Sequence, residues 1–513
     1  MQSVVMHASC RYQFFSCLFP LFRQYIKTEA LLKARRAGLF FVILIAMDDN
    51  RTTYVRHWVH GGMKPLMAAV LLAATLAGGT RADKPEPKPS YNGYVVAADQ
   101  SSDGKGWRKV VFALKKKHRA QVIHYNGKDG LPALVAELRK TRPKYVCFVA
   151  PPETVGRDFV AAAAQAMRQI DDDPYGDAIW GIVTAYSAED ALKVVSAPKT
   201  REIKSIASSM GGPRLLDDWD SGFASDERSA DNFWIKRPGR TNEKTSTNGN
   251  VAKALADAFN SVRIDYFVTS GHASERNWQI VYNQNKGSLV HTADAGLRFL
   301  EPGGKKGYDL TRASLKVYLG AGNCLIGHVN SRVCMATSWM HTAGVEQFAG
   351  YTVPSWYGFM GWGVKGLFEE GRHSLPEARY LENERLLWTQ RRAHPASQDK
   401  GLAYDRDAFA FYGDPAQRIV FPKDRTPYTI SVKDDKVEVS FVRDCSFAKL
   451  DDVRGARPVM ALLDAVPPGD ALFDANGKEI PDSLVTERFL FLPLPGQHVA
   501  GEKISCRIGR RAD

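Results

Sequence analysis

From Tyr94 onward, short apolar runs alternate with amphipathic ones, and this alternation constrains the chain more than any other feature. YVVAAD, AQVIHY and KYVCFVA have the length and β-branched content of buried strands. WRKVVFALKKKH and LPALVAELRKTR lie between them, and residues 158–170 follow; all three place apolar residues at helical spacing. Strand and helix in alternation predict a mostly parallel sheet with helices on both faces. Cys147, inside KYVCFVA, reads as a small buried hydrophobe. Residues 199–250 are polar and rich in Gly, Ser, Asp and Arg, which reads as one long loop. Beyond it, NVAKALADAFNSV reads as a helix, GVEQFAGYTVPSW as a strand and PEARYLENERLLWTQRRA as a helix. From Pro427, TISVKDDKVEVSFV alternates with period two, and turn signals recur at PPGD, NGKE and LPGQ. That pattern predicts a small antiparallel β domain, a sandwich, over residues 426–513. The α/β unit then falls into halves at 94–198 and 251–425.

The N-terminal stretch contains a second beginning. Met63-Lys64, the apolar run PLMAAVLLAATLAGG and Thr-Arg-Ala have the layout of a secretory signal peptide over 63–82, cleaved after Ala82. Residues 1–62 read as an over-long start or an extension, and GLFFVILIAM at 38–47 is the piece that could insert in a membrane. Residues 83–93, with KPEPKPS, form a linker. The expected destination is the periplasm, the cell surface or the medium. Of the net charge of +13, residues 1–82 carry +7, which leaves +6 over the remaining 431 residues. No basic cluster interleaved with aromatics occurs there, which excludes a nucleic-acid footprint. Cys147, Cys324, Cys334, Cys445 and Cys506 lie beyond residue 82, an odd number that leaves at least one free thiol; Cys445 and Cys506 could pair.

Two apolar runs end in reactive residues. IDYFVTSGHASERNW delivers His272, and ASLKVYLGAGNCLIGHV delivers Cys324. In open α/β sheets ligands sit beyond the carboxyl ends of the strands, so both side chains would emerge at one edge. A thiol beside an imidazole is the minimum for nucleophilic cysteine catalysis. Gly320-x-Gly322 is too short for a dinucleotide fingerprint and reads as a tight turn. Cys324, His328, Cys334 and His341 offer a Cys₂His₂ set, at a spacing that matches no finger.

These runs resemble those of the gingipain-type cysteine peptidases, within the wider caspase-like fold. TSGHASERNW resembles the family's His-Gly run with a following Trp, and YGDPA at 412–416 resembles its closing Gly-Asp-Pro. RPKYVCFVAPPE, IDDDPYGD and GIVTAYSAED resemble its upstream half. The resemblance spans about Tyr94 to Pro422 and implies an endopeptidase acting on protein or peptide, with no organic cofactor. It implies Cys324 as nucleophile, His272 as proton shuttle, and the backbone N–H groups of Ala273 and Cys324 as an oxyanion hole. Ala273 stands where the family has Gly. A positive φ there would cost ~1–2 kcal/mol, so Ala273 must keep a negative one. Asp177 would orient the imidazole. Trp278 and Trp356 would wall the substrate cleft, and Asp190 would hold a basic substrate side chain. Asp171, Asp172 and Asp173 could help bind a structural Ca²⁺. The alternative is an inactive caspase-fold domain that serves as a binding module.

Overall fold

The computed structural model describes residues 40–48, 51–59 and 93–511, with gaps at 227–228, 283–284, 356–357, 394–395, 449–456 and 465–466. The signal-like segment 63–82 lies outside the described residues. Phe40–Asp48 (β1) and Arg51–Val59 (β2) form an antiparallel hairpin with Phe40 opposite Val59. Among the described residues, no helix is long and apolar enough to cross a membrane.

Residues from Gly93 onward belong to one compact unit. In chain order its first strands are β3 (Tyr94–Asp99), β4 (Gln121–Tyr125), β5 (Tyr145–Val149), β6 (Ile179–Val183), β7 (Thr200–Glu202), β8 (Ser205–Ser208), β9 (Ser221–Asp226), β10 (Ser229–Lys236) and β11 (Glu243–Lys244). β12 (Tyr266–Gly271) leads into a four-stranded antiparallel insertion, β13 (Asn277–Gln279), β14 (Ser288–His291), β15 (Leu297–Leu300) and β16 (Gly307–Asp309). β17 (Lys316–Asn323), β18 (Val345–Tyr351), β19 (Phe409–Tyr412) and β20 (Arg418–Val420) follow. Twelve strands form one sheet in the order β11-β10-β9-β8-β12-β17-β18-β19-β6-β5-β3-β4. Its pairings are mostly parallel, as the alternation predicts.

Alternation along β12, β17 and β18 sorts side chains onto two cores. Phe267, Tyr318 and Phe348 face one side; Tyr266, Val268, Leu319, Ala349 and Tyr351 face the other. The first core is closed by α1 (Lys105–His118), α2 (Leu131–Thr141), α3 (Arg157–Ala166), α4 (Ala188–Ser196), α5 (Val251–Ser261) and α6 (Met335–Ala343). The second is closed by α7 (Phe359–Glu369), α8 (Leu375–Ala393) and Leu402 of α9 (Ala396–Asp407).

Residues 199–250 are not one long loop. β8 and β9 carry SIAS and SGFASD, and β8 pairs in parallel with β12 through Tyr266–Ile206 to Val268–Ser208. Small residues there let the strands lie under neighbouring chain: a Cβ on Gly222 would run into the Ile206 carbonyl.

The final segment forms small antiparallel sheets, as its period predicts. Tyr428–Lys433, Lys436–Phe441, Lys503–Gly509 and Ala471–Phe473 make one; Val459–Leu462, Phe489–Leu492 and Leu484–Val485 make another. They share a core that includes Val439, Phe441, Leu472 and Leu490. Phe489, Phe491 and Met460 turn away from it into the second core of the α/β sheet. Arg488 donates to the carbonyls of Asp177 and Pro143 at 2.9 and 2.8 Å. Cys445 and Cys506 are both free thiols, on strands paired with His498 and Val437 respectively, so the pairing considered for them is absent.

Candidate active site

β12 and β17 are adjacent and parallel, and Gly271 is in register with Asn323. His272 and Cys324 are the next residues of each strand, so the register sets them side by side at the carboxyl edge. The register holds because the strand ends are tied internally. Asn323, fully buried, donates through Nδ2 to the Gly271 carbonyl at 3.0 Å. Its Oδ1 accepts from Thr269 Oγ1 at 2.6 Å, and Tyr318 donates its hydroxyl to Thr269 at 2.7 Å. Every member of this chain is buried and satisfied, the condition under which a polar network specifies a unique geometry.

The turn after Cys324 lies on the sheet because the sheet is glycine-lined there. Gly320 and Gly322 are not a tight turn; they sit within β17. A Cβ on Gly320 would be 2.5 Å from Ile326 Cγ2, and one on Gly350 2.7 Å from the same atom. Ile326 thus folds back over two glycines. Leu325 N–H donates to the Val353 carbonyl at 3.1 Å and Gly327 N–H to that of Tyr351 at 2.9 Å. Tyr412 OH donates to the Gly327 carbonyl at 2.7 Å. Leu325 is held at φ 57, left-handed backbone that an ordinary side chain rarely adopts. Such strain persists only where the surroundings enforce it.

Cys324 is half-buried. Ser355 N–H points at its sulfur at 3.3 Å, and Ser355 Oγ stands 3.6 Å from it. That hydroxyl is also 3.4 Å from the Gly322 carbonyl. It can therefore accept from the thiol while donating to Gly322, or turn its proton to a thiolate. His272 is exposed, and its ring stacks on Tyr282 with centroids 4.5 Å apart and planes at 21°. Ala273 is absent from the residues with positive φ, so the replacement of Gly carries no left-handed strain. The positive φ falls on Gly271, at 102.

The other expected site residues are placed differently. Asp177 lies at the opposite edge, ahead of β6, where its carboxylate accepts from the N–H groups of Ile170 and Asp171 at 3.1 and 3.3 Å. Burial, together with Asp171, Asp173 and Glu487, pushes its pKa up to about 10. The structure does not bring it to His272, because strand polarity puts the start of β6 a full strand length from the carboxyl edge. Asp190 is on the right edge, at the start of α4, but it is buried and committed. It accepts from His341 Nδ1 at 2.7 Å, Lys193 at 2.8 Å and Ser187 Oγ at 2.9 Å. Burial favours its neutral form, but Lys193, His341 and Ser187 outweigh this and hold it below the usual carboxylate range. Trp278 is buried and donates Nε1 to the Ser270 carbonyl at 2.9 Å, so it props the strand end from beneath rather than walling a cleft. Trp356 lies outside the described residues.

No Cys₂His₂ site forms. Cys334 caps α6 with Thr337, His341 holds Asp190, and His328 faces a cleft of about 380 Å³ with Gly156, Arg157 and Lys128. Burial, then Arg157, lowers the pKa of His328. The one group of carboxylates gathered for a cation among the described residues is Asp171, Asp177 and Glu487, with oxygens within 4.8 Å of one another. Its all-oxygen donors suit a hard ion such as Ca²⁺, and it sits far from the thiol, at the opposite edge of the sheet. Asp414, in the YGDPA motif, is likewise structural. It accepts from Tyr94 OH at 2.9 Å, His118 Nε2 at 2.7 Å and Lys117 at 3.0 Å, which latches the closing strand to the first one.

No protein-family model matches the chain, and no curated protein matches it. Among solved structures, one described as "Structure of Protease" is remotely similar, with 9% identity and a TM-score of 0.37 over 81% of this chain and 96% of that one. A likeness of that size carries no argument about the chemistry, which rests on the site itself.

Proposed function

We propose that the protein is a cysteine endopeptidase of gingipain type. The observation that carries this reading is the Gly271–Asn323 register, which sets His272 and Cys324 at the ends of adjacent parallel strands. Cys324 passes its proton to His272 and its sulfur attacks the peptide carbonyl carbon. The negative charge that develops on the carbonyl oxygen is met by the N–H groups of Ala273 and Cys324. The C–N bond then breaks as His272 returns the proton to the leaving nitrogen. Water, deprotonated by His272, attacks the thioester carbonyl; the C–S bond breaks, the acid departs and the thiol is restored. In place of a carboxylate, the Tyr282 ring fixes the imidazole plane. The 63–82 segment supports an exported enzyme, and the Asp171–Asp177–Glu487 group supports a structural Ca²⁺ away from the chemistry.

The test is iodoacetamide labelling across pH with site mapping, run beside hydrolysis of a peptide library. Cys324 is expected to label faster than the other thiols, and His272→Ala to slow both labelling and hydrolysis, the latter by about 10²–10⁴-fold. Labelling of Cys324 no faster than Cys445, with no hydrolysis of any peptide, would sink the peptidase reading and leave the binding module.

A further inference from the structure

Four aromatic side chains are exposed among the described residues, and three of them surround Cys324 and His272: Tyr282 at 45%, Trp362 at 45% and Tyr404 at 44%. They come from the insertion after β12, from α7 and from α9, so chain proximity does not explain their meeting. Tyr282 stacks on His272 and also faces Gly271, where a Cβ would be 3.7 Å from its ring. The indole of Trp362 lies over Gly322, two residues before the thiol, where a Cβ would be 3.4 Å from its Cζ2. Tyr404 is carried to the same place by its neighbour. Asp405 accepts from the N–H groups of Gly358 at 2.9 Å and Met360 at 2.6 Å, which clamps α9 to the start of α7, just beyond Ser355. Burial raises the pKa of Tyr404, Arg157 opposes this, and the nearness of Cys324 adds to the rise.

Large apolar rings left in water beside a nucleophile mark a surface that is covered when substrate binds. The carboxylate expected to greet a basic side chain, Asp190, is buried and already committed to Lys193, His341 and Ser187. We infer that Tyr282, Trp362 and Tyr404 form the substrate-binding rim, and that it selects peptides with a bulky apolar or aromatic side chain next to the scissile bond, not a Lys or Arg. Trp362, over the strand that bears the thiol, is the main contact, while Tyr282 doubles as the plate that orients His272. This specificity rests on the peptidase reading for its meaning, but binding can be measured without turnover.

The experiment uses full-length Cys324→Ala protein and end-blocked octapeptides whose central residue is Phe, Leu, Lys or Asp, with affinity read by titration calorimetry. Phe and Leu peptides are expected to bind at least about 10-fold tighter than Lys or Asp peptides. Trp362→Ala in that background is expected to erase the difference, and Trp362→Phe to restore most of it; Trp362 is exposed, and an unchanged melting temperature confirms folding. Equal or tighter binding of the Lys peptide, no binding of any peptide, or a folded Trp362→Ala protein that keeps its preference would each overturn the inference. Hydrolysis by the wild-type protein separates the two readings. Cleavage after Lys with weak Phe binding sinks the rim and keeps the peptidase; tight Phe binding without cleavage does the reverse.

Discussion

The two edges of the large sheet are built on opposite plans. At the amino edge several buried charges are held by partners. Arg201 pairs with Asp265 and Glu346, and Gln417 donates to Glu346 at 2.7 Å. Lys316 donates to the Ser314 and Ala343 carbonyls, and Asp414 collects Tyr94, His118 and Lys117. At the carboxyl edge, glycines line the sheet, Val281 and Leu325 are held in left-handed backbone, and a half-buried thiol lies beside an exposed imidazole and three exposed aromatic rings. The first edge spends its polar groups on holding the fold. The second keeps reactive groups available and relies on buried Asn323 and Thr269 for position.

This contrast predicts that substitutions at the two edges affect different quantities. Asp414→Ala should have the largest effect on stability. It would strand Lys117 and His118 beside a buried site, and the loss of one partner of such a pair costs ~3–5 kcal/mol. Thermal melting should show it, with thiol labelling of the folded fraction unchanged. Asp414 also ties the edge to acid. Burial favours its neutral form, but His118 and Lys117 outweigh this and depress its pKa. Its contribution is therefore present above the unfolded carboxylate value and lost as the pH falls through the folded one. Gly327→Ala should do the reverse of Asp414→Ala. A Cβ there would run into the Gly350 carbonyl, so the Cys324 turn must lift. Stability should fall by only ~1–3 kcal/mol, whereas Cys324 labelling and peptide hydrolysis should collapse. Equal damage to both quantities from either variant would break the contrast.

How much of this was legible in the sequence depends on whether a feature is local. The strands ending at Gly271 and Asn323 were readable because strands buried on both faces are continuous apolar runs. The Cys–His pair followed from where such strands end. β8 and β9 were not readable. SIAS and SGFASD have loop composition, and only the parallel pairing of β8 with β12 and of β9 with β8 makes them strands. Trp278 and Trp362 are the same residue type, yet one is buried under Ser270 and the other faces solvent beside the thiol. That distinction belongs to packing. Asp177 was misplaced for a different reason. Its carboxylate precedes β6, which in a parallel sheet places it at the amino edge; its expected role came from the family resemblance, not from where its strand begins.

Asp177 supplies the smallest and sharpest test, since it asks whether the amino edge is closed by a proton or by an ion. Its pKa stands at about 10 because it is buried among Asp171, Asp173 and Glu487. A folded value above the unfolded one means the folded chain holds the extra proton. Stability is then full below pH ~4 and declines as the pH rises toward 10. Asp177→Asn keeps the shape and removes the titration, so its melting temperature should fall less than that of the wild type between pH 5 and 9. If a divalent ion bridges Asp171, Asp177 and Glu487, the carboxylate is already charged and the order changes. Millimolar Ca²⁺ should then raise the wild-type melting temperature and flatten its pH dependence, and leave Asp177→Asn unmoved. Labelling of Cys324 should be identical in both proteins with or without Ca²⁺. A change in labelling would show that the two edges are coupled through the sheet, which their separate networks argue against.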